Sequence, residues 1–378
     1  MEIVLHTTNK PSALSNHYRR ALSESIELYI VSAYLTEWDA DMELKAACRR
    51  FRLLVGKDFG ITRKEACKKV LKWLPAHRKA DFMVADQIAG FHPKAVFWKT
   101  ASGESFMLVG SSNLTRAAFE RNVEANVLSA ISEEEFLAAR KWIDWIAERS
   151  VPVSEDWLDQ YVEASRQPAA SPGKPKPLEP DSPVVLFNLP KPPGAARLLR
   201  NRRVQLEAYS RVRPRLMKFF RSCATGSTSS SAFFDGLPSI WSWDLGNRLQ
   251  GNGWERRGKN ANFTELAASF VSVLDARKHE RDDVVRLQLD LLCASRNPAR
   301  KAFLSEMLCL RFPHEYPVLN NPVNRYLSHI RFSPPRGASE GARYIDLAKK
   351  LRVALRANPA YPAKNLAELD ALIWTSAG

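Results

Sequence analysis

Phe91-His92-Pro93-Lys94-Ala95-Val96-Phe97-Trp98, then Ser105-Phe106-Met107-Leu108-Val109-Gly110-Ser111-Ser112-Asn113, then Asn122-Val123-Glu124-Ala125-Asn126-Val127 decide how this chain is read. Lys94–Trp98, Ser105–Val109 and Asn122–Leu128 each have the β-branched and aromatic content of a strand, and Gly103 marks the turn between the first two. His92 and Lys94 are two residues apart at the entrance to a strand, so a period of two sends both side chains to one face. Gly110 permits close backbone approach directly after the second strand, and Ser111 and Asn113 can both donate to a phosphate. On the third strand Asn122, Glu124 and Asn126 share one face, opposite Val123, Ala125 and Val127. A glutamate there can accept from one imidazole nitrogen and leave the other free to act as a nucleophile.

Upstream, Ile26–Tyr34, Phe51–Gly56 (ending in a glycine turn) and Asp81–Ala85 read as further strands. Helices are expected around His17–Ser25 and over Asp39–Arg50, where Met42, Leu44 and Ala47 are spaced among charges. Thr62 with Glu65 three residues later predicts a capped helix over Arg63–Leu74, stopped by Pro75. Ser132 before three glutamates starts an amphipathic helix running to about Arg149, and Glu155–Ser165 adds another. Alternating strands and helices predict an α/β layered domain over 1–166.

Nine of the 23 prolines fall between Pro168 and Pro193, so 167–196 reads as a proline-rich linker of polyproline II character. Within it, the apolar run Val184–Phe187 suits docking on a domain surface. Beyond it, 197–378 is expected to be a basic, mainly helical domain, with helices near Phe263–Arg277, Asp282–Ser295, Pro298–Arg311, Pro322–Ile330, Ala338–Ala357 and Asn365–Trp374.

The 378-residue chain carries a formal charge of +15, unevenly placed. Residues 1–150 hold 22 Lys and Arg against 19 acids, and the remainder holds 34 against 22. A positive second half points to a polyanion, most simply nucleic acid; solubility alone is the plainer account. Arg200, Arg202, Arg203, Arg211, Arg213 and Arg215, interleaved with Leu206, Tyr209 and Phe219, suit a surface that tracks phosphates, or else the solvated face of a helix. Arg256 and Arg257 beside Trp254 extend that candidate nucleic-acid surface, although the Trp241, Trp243 and Trp254 stripe also reads as core. The five cysteines are scattered without CxxC spacing, which argues against structural zinc and against a disulfide frame. No run of 18 apolar residues and no signal-peptide pattern appear, so a soluble, cytoplasmic protein without membrane association is expected.

His92-x-Lys94 followed about twenty residues later by Gly110-Ser111-x-Asn113 resembles the phosphodiesterase motif of the phospholipase D superfamily. Phe91–Lys94, Val109–Thr115 and Asn122-x-Glu124 are similar to its nuclease branch, which includes metal-independent restriction endonucleases. The resemblance covers roughly residues 20–150. His77-Arg78-Lys79 has the same His-x-Lys spacing but no Gly-Ser-x-Asn of its own, and reads as a surface basic run. Many members place an Asp five residues after the Lys; here Lys99 stands there, and Glu124 is the natural substitute for orienting a histidine.

The resemblance implies catalysis by His92, Lys94, Asn113 and Glu124, with Lys94, Ser111 and Asn113 holding the phosphate. It implies a phosphohistidine intermediate, a second histidine as acid, and neither metal nor other cofactor. His6, His17, His279, His314 and His329 lack a lysine two residues on, so one chain supplies one set. A homodimer with a composite site is the expectation that follows. The favoured function is a DNA endonuclease of bacterial restriction or anti-phage defence type, and a helicase or ATPase partner that delivers DNA is left open. Phospholipid hydrolysis, or a non-catalytic nucleic-acid-binding component of a larger complex, are the alternatives.

Overall fold

A computed structural model of the chain describes residues 1–7, 13–164, 187–250, 258 and 260–376. These fall into two units, Met1–Val185 with Ser333–Ala338, and Leu186–Phe332 with Ser339–Gly378. Most of the segment expected as a linker, including Val184-Val185-Leu186, lies outside the described residues, as do Trp254, Arg256 and Arg257.

In the first unit the strands are β1 (Glu2–His6), β2 (Ser25–Ser32), β3 (Arg50–Val55), β4 (Phe82–Val84), β5 (Lys94–Thr100), β6 (Ser105–Gly110), β7 (Glu124–Ile131) and β8 (Val151–Pro152). They form one sheet in the order β1-β7-β6-β5-β2-β3-β4-β8. β2, β3 and β4 run parallel, and the other pairings are antiparallel. The central β2 carries apolar residues at every position from Leu28 to Val31 because both of its faces are covered.

One face packs under the helix α4, the sixth helical segment of this unit (Glu133–Glu148). Its Phe136, Ile143, Ile146 and Ala147 recur at helical spacing and meet Tyr29, Val31, Leu54 and Met83. Burying each large apolar side chain of that stripe contributes about 1.5–3 kcal/mol. Ser132 and Glu135 close a full capping box at its N-terminus. On the opposite face lies α1 (Leu14–Glu24), with Arg20 set over the Phe106 ring and Phe106 stacked on Trp98. α2 (Lys64–Trp73) also packs there, through Trp73 against Phe51. The short helices α3 (Arg116–Glu120) and α5 (Glu155–Gln160) complete the unit.

The second unit is helical in its described residues. α6 (Ala195–Ala224), α7 (Ser230–Gly236), α8 (Phe263–Asp275), α9 (Arg281–Ala294), α10 (Ala302–Arg311), α11 (Asn321–His329), α12 (Glu340–Ala357) and α13 (Leu366–Ser376) follow in order. Phe220, Phe233, Phe263, Phe270, Phe303 and Trp241 form its aromatic centre. Trp241 is therefore core, whereas Trp243 is about half exposed. The α/β first half and helical second half agree with the fold expected from the sequence.

Three local readings are corrected. Asp39–Arg50 contains turns rather than a helix, held by Lys45 N to Leu22 O at 2.9 Å and by an Asx turn in which Asp41 N donates to Asp39. Thr62 does not cap α2; its hydroxyl is buried, donating to Gly56 O at 2.7 Å and accepting from Leu35 N at 3.2 Å. Glu65 instead pairs with Lys68 at 2.8 Å. Arg78 is not on the surface: it is buried against Asp81 at 3.3 Å and donates to the carbonyls of Cys48 and Arg49.

Candidate active site

The site follows from strand direction. β2 and β6 end where β5 and β7 begin, so the antiparallel pairings bring Ser32, Lys94, Gly110 and Glu124 to one end of the sheet. The register sets Ser32 opposite Lys94 and Gly110 opposite Asn126, which directs these residues to the α1 face. β1 adds His6 opposite Glu124.

His92 is exposed and Lys94 half-buried. The Lys94 ammonium lies 2.9 Å from His92 Nδ1, 3.2 Å from Nε2 and 3.0 Å from the His92 carbonyl. Desolvation lowers the Lys94 pKa, and the negative charge of Glu124 works against that fall. The edge of the His92 ring meets Tyr34, with centroids 5.7 Å apart. Desolvation and the charge of Asp58 raise the Tyr34 pKa, so its hydroxyl stays protonated. Asp58, itself buried, accepts from Phe91 N at 3.2 Å and thereby fixes the backbone just before His92.

Asn113 is held by its carbonyl oxygen, which accepts from Tyr34 N at 3.3 Å and Ser32 Oγ at 3.4 Å. That orientation turns its amide nitrogen, the donor a phosphate needs, away from β2. The loop before it requires glycine: a Cβ on Gly110 would sit 2.3 Å from both Ala125 O and Asn126 Oδ1. Ser112 and Asn126 then close the loop through Asn126 Nδ2 to Ser112 Oγ at 2.9 Å.

Glu124 is buried between the Ser111 hydroxyl, which donates to Oε2, and Asn122 Nδ2, which donates to Oε1 at 3.0 Å. The Ser111 hydroxyl also accepts from Ala125 N at 3.1 Å. Ser111 is thus a support for Glu124, and a phosphate contact from its hydroxyl would require the bond to Glu124 to break. Among the described residues of one chain no hydrogen bond joins Glu124 to His92; the charge of Glu124 acts on Lys94.

Residues 18–146 match the family described as cardiolipin synthase, PLD-like domain. This segment is a phospholipase D-like domain. It contains His92, Lys94, Ser111, Asn113 and Glu124, and is of the phosphodiesterase class that the superfamily comprises. Two solved structures are similar to the chain. NucT from Helicobacter pylori is 16% identical with a TM-score of 0.30, covering 40% of this chain and 99% of its own. A phospholipase D family member, Nuc from Salmonella typhimurium, is 10% identical with a TM-score of 0.29, covering 40% and 97%. No curated protein matches in sequence.

Lys99, where many members carry an acid, lies away from the site end of the sheet in this phospholipase D-like domain. Lys99 is five residues along β5 from Lys94, roughly 16 Å at the strand rise, and pairs with Glu133 at 2.5 Å. Ser32, Tyr34 and Asp58 were not among the expected site residues, and His6 had been set aside for lacking a lysine two residues on. Their only signal was Ser32-x-Tyr34 at the exit of a strong strand, and its pairing with Lys94 is set by topology.

The arginines expected to bind nucleic acid belong to α6 of the second unit. Arg202 is a correction: it is buried, its guanidinium 2.8 Å from Asp370, so it faces the core. Arg203 is exposed but bonded to Glu368 at 2.7 Å, and Arg211 pairs with Glu207 at 2.6 Å. Arg200, Arg213 and Arg215 are exposed. Among the described residues no group of three or more His, Cys, Asp or Glu could hold a metal, and no helix is long and apolar enough to cross a membrane.

Proposed function

We propose that the protein is a metal-independent DNA endonuclease of restriction or anti-phage type, acting as a homodimer through a phosphohistidine. The observation that carries this reading is the convergence of His92, Lys94, Asn113 and Glu124 on one sheet end within a phospholipase D-like domain. A His92 ring nitrogen forms a bond to phosphorus as the bond from phosphorus to the leaving oxygen breaks. The imidazolium of a second copy gives its proton to that oxygen. Water then attacks phosphorus, the N–P bond breaks, and the water's proton goes to the second imidazole. Lys94 and the Asn113 amide stabilise the non-bridging oxygens. The positive excess of the chain supports a polyanionic substrate.

The description of the matched family favours a second reading, a phospholipid phosphodiesterase. One experiment addresses both. The purified full chain and its His92→Ala variant are incubated in excess EDTA with plasmid, single-stranded DNA or phosphatidylglycerol vesicles. DNA cleavage that persists in EDTA and is lost in His92→Ala supports the nuclease. Loss of all DNA cleavage in EDTA overturns it, and turnover of vesicles alone selects the second reading. An intact variant that handles substrate like the unaltered chain would instead mark a non-catalytic component.

A further inference from the structure

A cavity of about 670 Å³ opens beside the site, walled by the 37–42 turns, the last turns of α2 and the start of α3. Its wall begins one residue past Asn113. Leu114 lines it, and the Leu114 carbonyl accepts from Thr36 N at 2.9 Å and from Glu37 N at 3.4 Å. The segment that positions Asn113 therefore also carries the Glu37–Trp38 side of the cavity.

The lining combines aromatic surface with positive charge. Trp38 and Trp73 meet edge to face with centroids 4.8 Å apart, and Phe119 faces the same space. Trp73 is fixed by its indole N–H donating to Met42 O at 2.5 Å. Two of the three acids in the lining are neutralised, Asp39 by Arg19 at 3.1 Å and Glu120 by Arg116 at 2.8 Å. Lys69 and Lys72 on α2 are exposed and make no salt bridge among the described residues. Aromatic rings and ammonium groups lining one space suit a base with its phosphates, and the volume exceeds what one base fills.

We propose that this cavity binds the unstacked nucleoside next to the scissile phosphate, so that the preferred substrate is single-stranded nucleic acid or a duplex with a base turned out. The proposal rests on the nuclease reading of the site. The base lies on the Trp73 and Phe119 surface, and Lys69 and Lys72 meet the following phosphates. A base inside a duplex cannot enter without leaving its stack.

The test uses the full chain and oligonucleotides carrying one abasic position moved along the strand. Binding is read with the His92→Ala protein and cleavage with the active one. At one position beside the cut, loss of the base should weaken binding by about tenfold, the scale of one base-aromatic stack. Lys69→Ala with Lys72→Ala should raise KM for single strands by about tenfold while leaving kcat within about twofold, and should lower the salt dependence. Trp73→Phe keeps a ring and should retain most of the affinity, whereas Trp73→Ala should lose the abasic effect. Equal cleavage of single and double strands with no position-dependent abasic effect overturns the cavity assignment and leaves the nuclease standing. Position-dependent binding by a chain that cleaves nothing refutes the nuclease and retains the cavity. Absence of any binding to single strands overturns the cavity assignment.

Discussion

The ammonium of Lys94 stands 2.9 Å from Nδ1 of His92 and donates to the backbone carbonyl of the same residue at 3.0 Å. Within 3.2 Å of both ring nitrogens, the ammonium holds the imidazole at the site, and an imidazole attacks phosphorus through the lone pair of one nitrogen. An arriving phosphate competes for the same ammonium. In the proposed reaction Lys94 passes from His92 to a non-bridging oxygen, and the imidazole is released towards phosphorus. Lys94→Met should lower kcat by about 10²-fold or more, the scale of losing one donor to developing charge. Lys94→Arg should recover little, because a planar fork cannot reproduce a point charge that serves both ring and carbonyl. Single-turnover kinetics on a labelled oligonucleotide decide this, and near-normal turnover in Lys94→Arg would show that only net charge matters.

The charge of Glu124 supports the ammonium of Lys94. Desolvation already lowers the Lys94 pKa, and Glu124 opposes that fall by favouring the protonated form. Removing the charge in Glu124→Gln lets the Lys94 pKa drop further, so the ammonium is lost at lower pH. Turnover should be strongly reduced and DNA affinity nearly unchanged, because Glu124 acts on the group that meets the developing charge and not on the basic surface. Gln keeps one oxygen to accept from Asn122, and its amide nitrogen donates to the Ser111 hydroxyl, so both contacts of the loop have a counterpart. A large loss of affinity with normal turnover, read by single-turnover kinetics beside a binding titration, contradicts the assignment.

The active-site strands were legible because their composition, spacing and turn glycine are local. β5, β6 and β7 lie within a few residues of their expected bounds. What the sequence hid was pairing. Glu124 was expected to orient a histidine, yet in one chain it is engaged by Ser111 and Asn122, a consequence of β6 ending beside the start of β7. Thr62 and Glu65 have capping-box spacing, but the buried Gly56 carbonyl claims the Thr62 hydroxyl. The Asp39–Arg50 spacing suits a helix, but an Asx turn and the bonds to Leu22 and Ile26 hold it otherwise. Arg202 shows the same limit most sharply: a periodic basic run does not reveal which arginine meets a carboxylate 168 residues later.

That distinction makes the basic helix testable. Arg202 and Asp370 form a buried pair at 2.8 Å, and Asn320 also donates to Asp370 at 3.3 Å. Burial raises the Asp370 pKa, and the Arg202 guanidinium restrains that rise. Arg202→Ala leaves an uncompensated buried carboxylate and should cost about 3–5 kcal/mol. Asp370 then has a pKa raised further above its unfolded value, so its contribution to stability is present below the unfolded value and lost as pH rises through the folded one. The defect should be smaller near pH 5 than near pH 8 in thermal melts. The Arg202→Met, Asp370→Leu double variant should recover much of the loss, because apolar replacement of a buried pair is often near neutral. Arg200, Arg213 and Arg215 are exposed on α6, and neutralising all three should leave the melting temperature nearly unchanged. If they track phosphates, log Kd against log salt should lose about 0.7 to 0.9 of slope for each contact removed. An unchanged slope in that triple variant would make α6 a solvated face, and an Arg202→Ala protein of normal stability with weakened DNA binding would return Arg202 to the nucleic-acid surface.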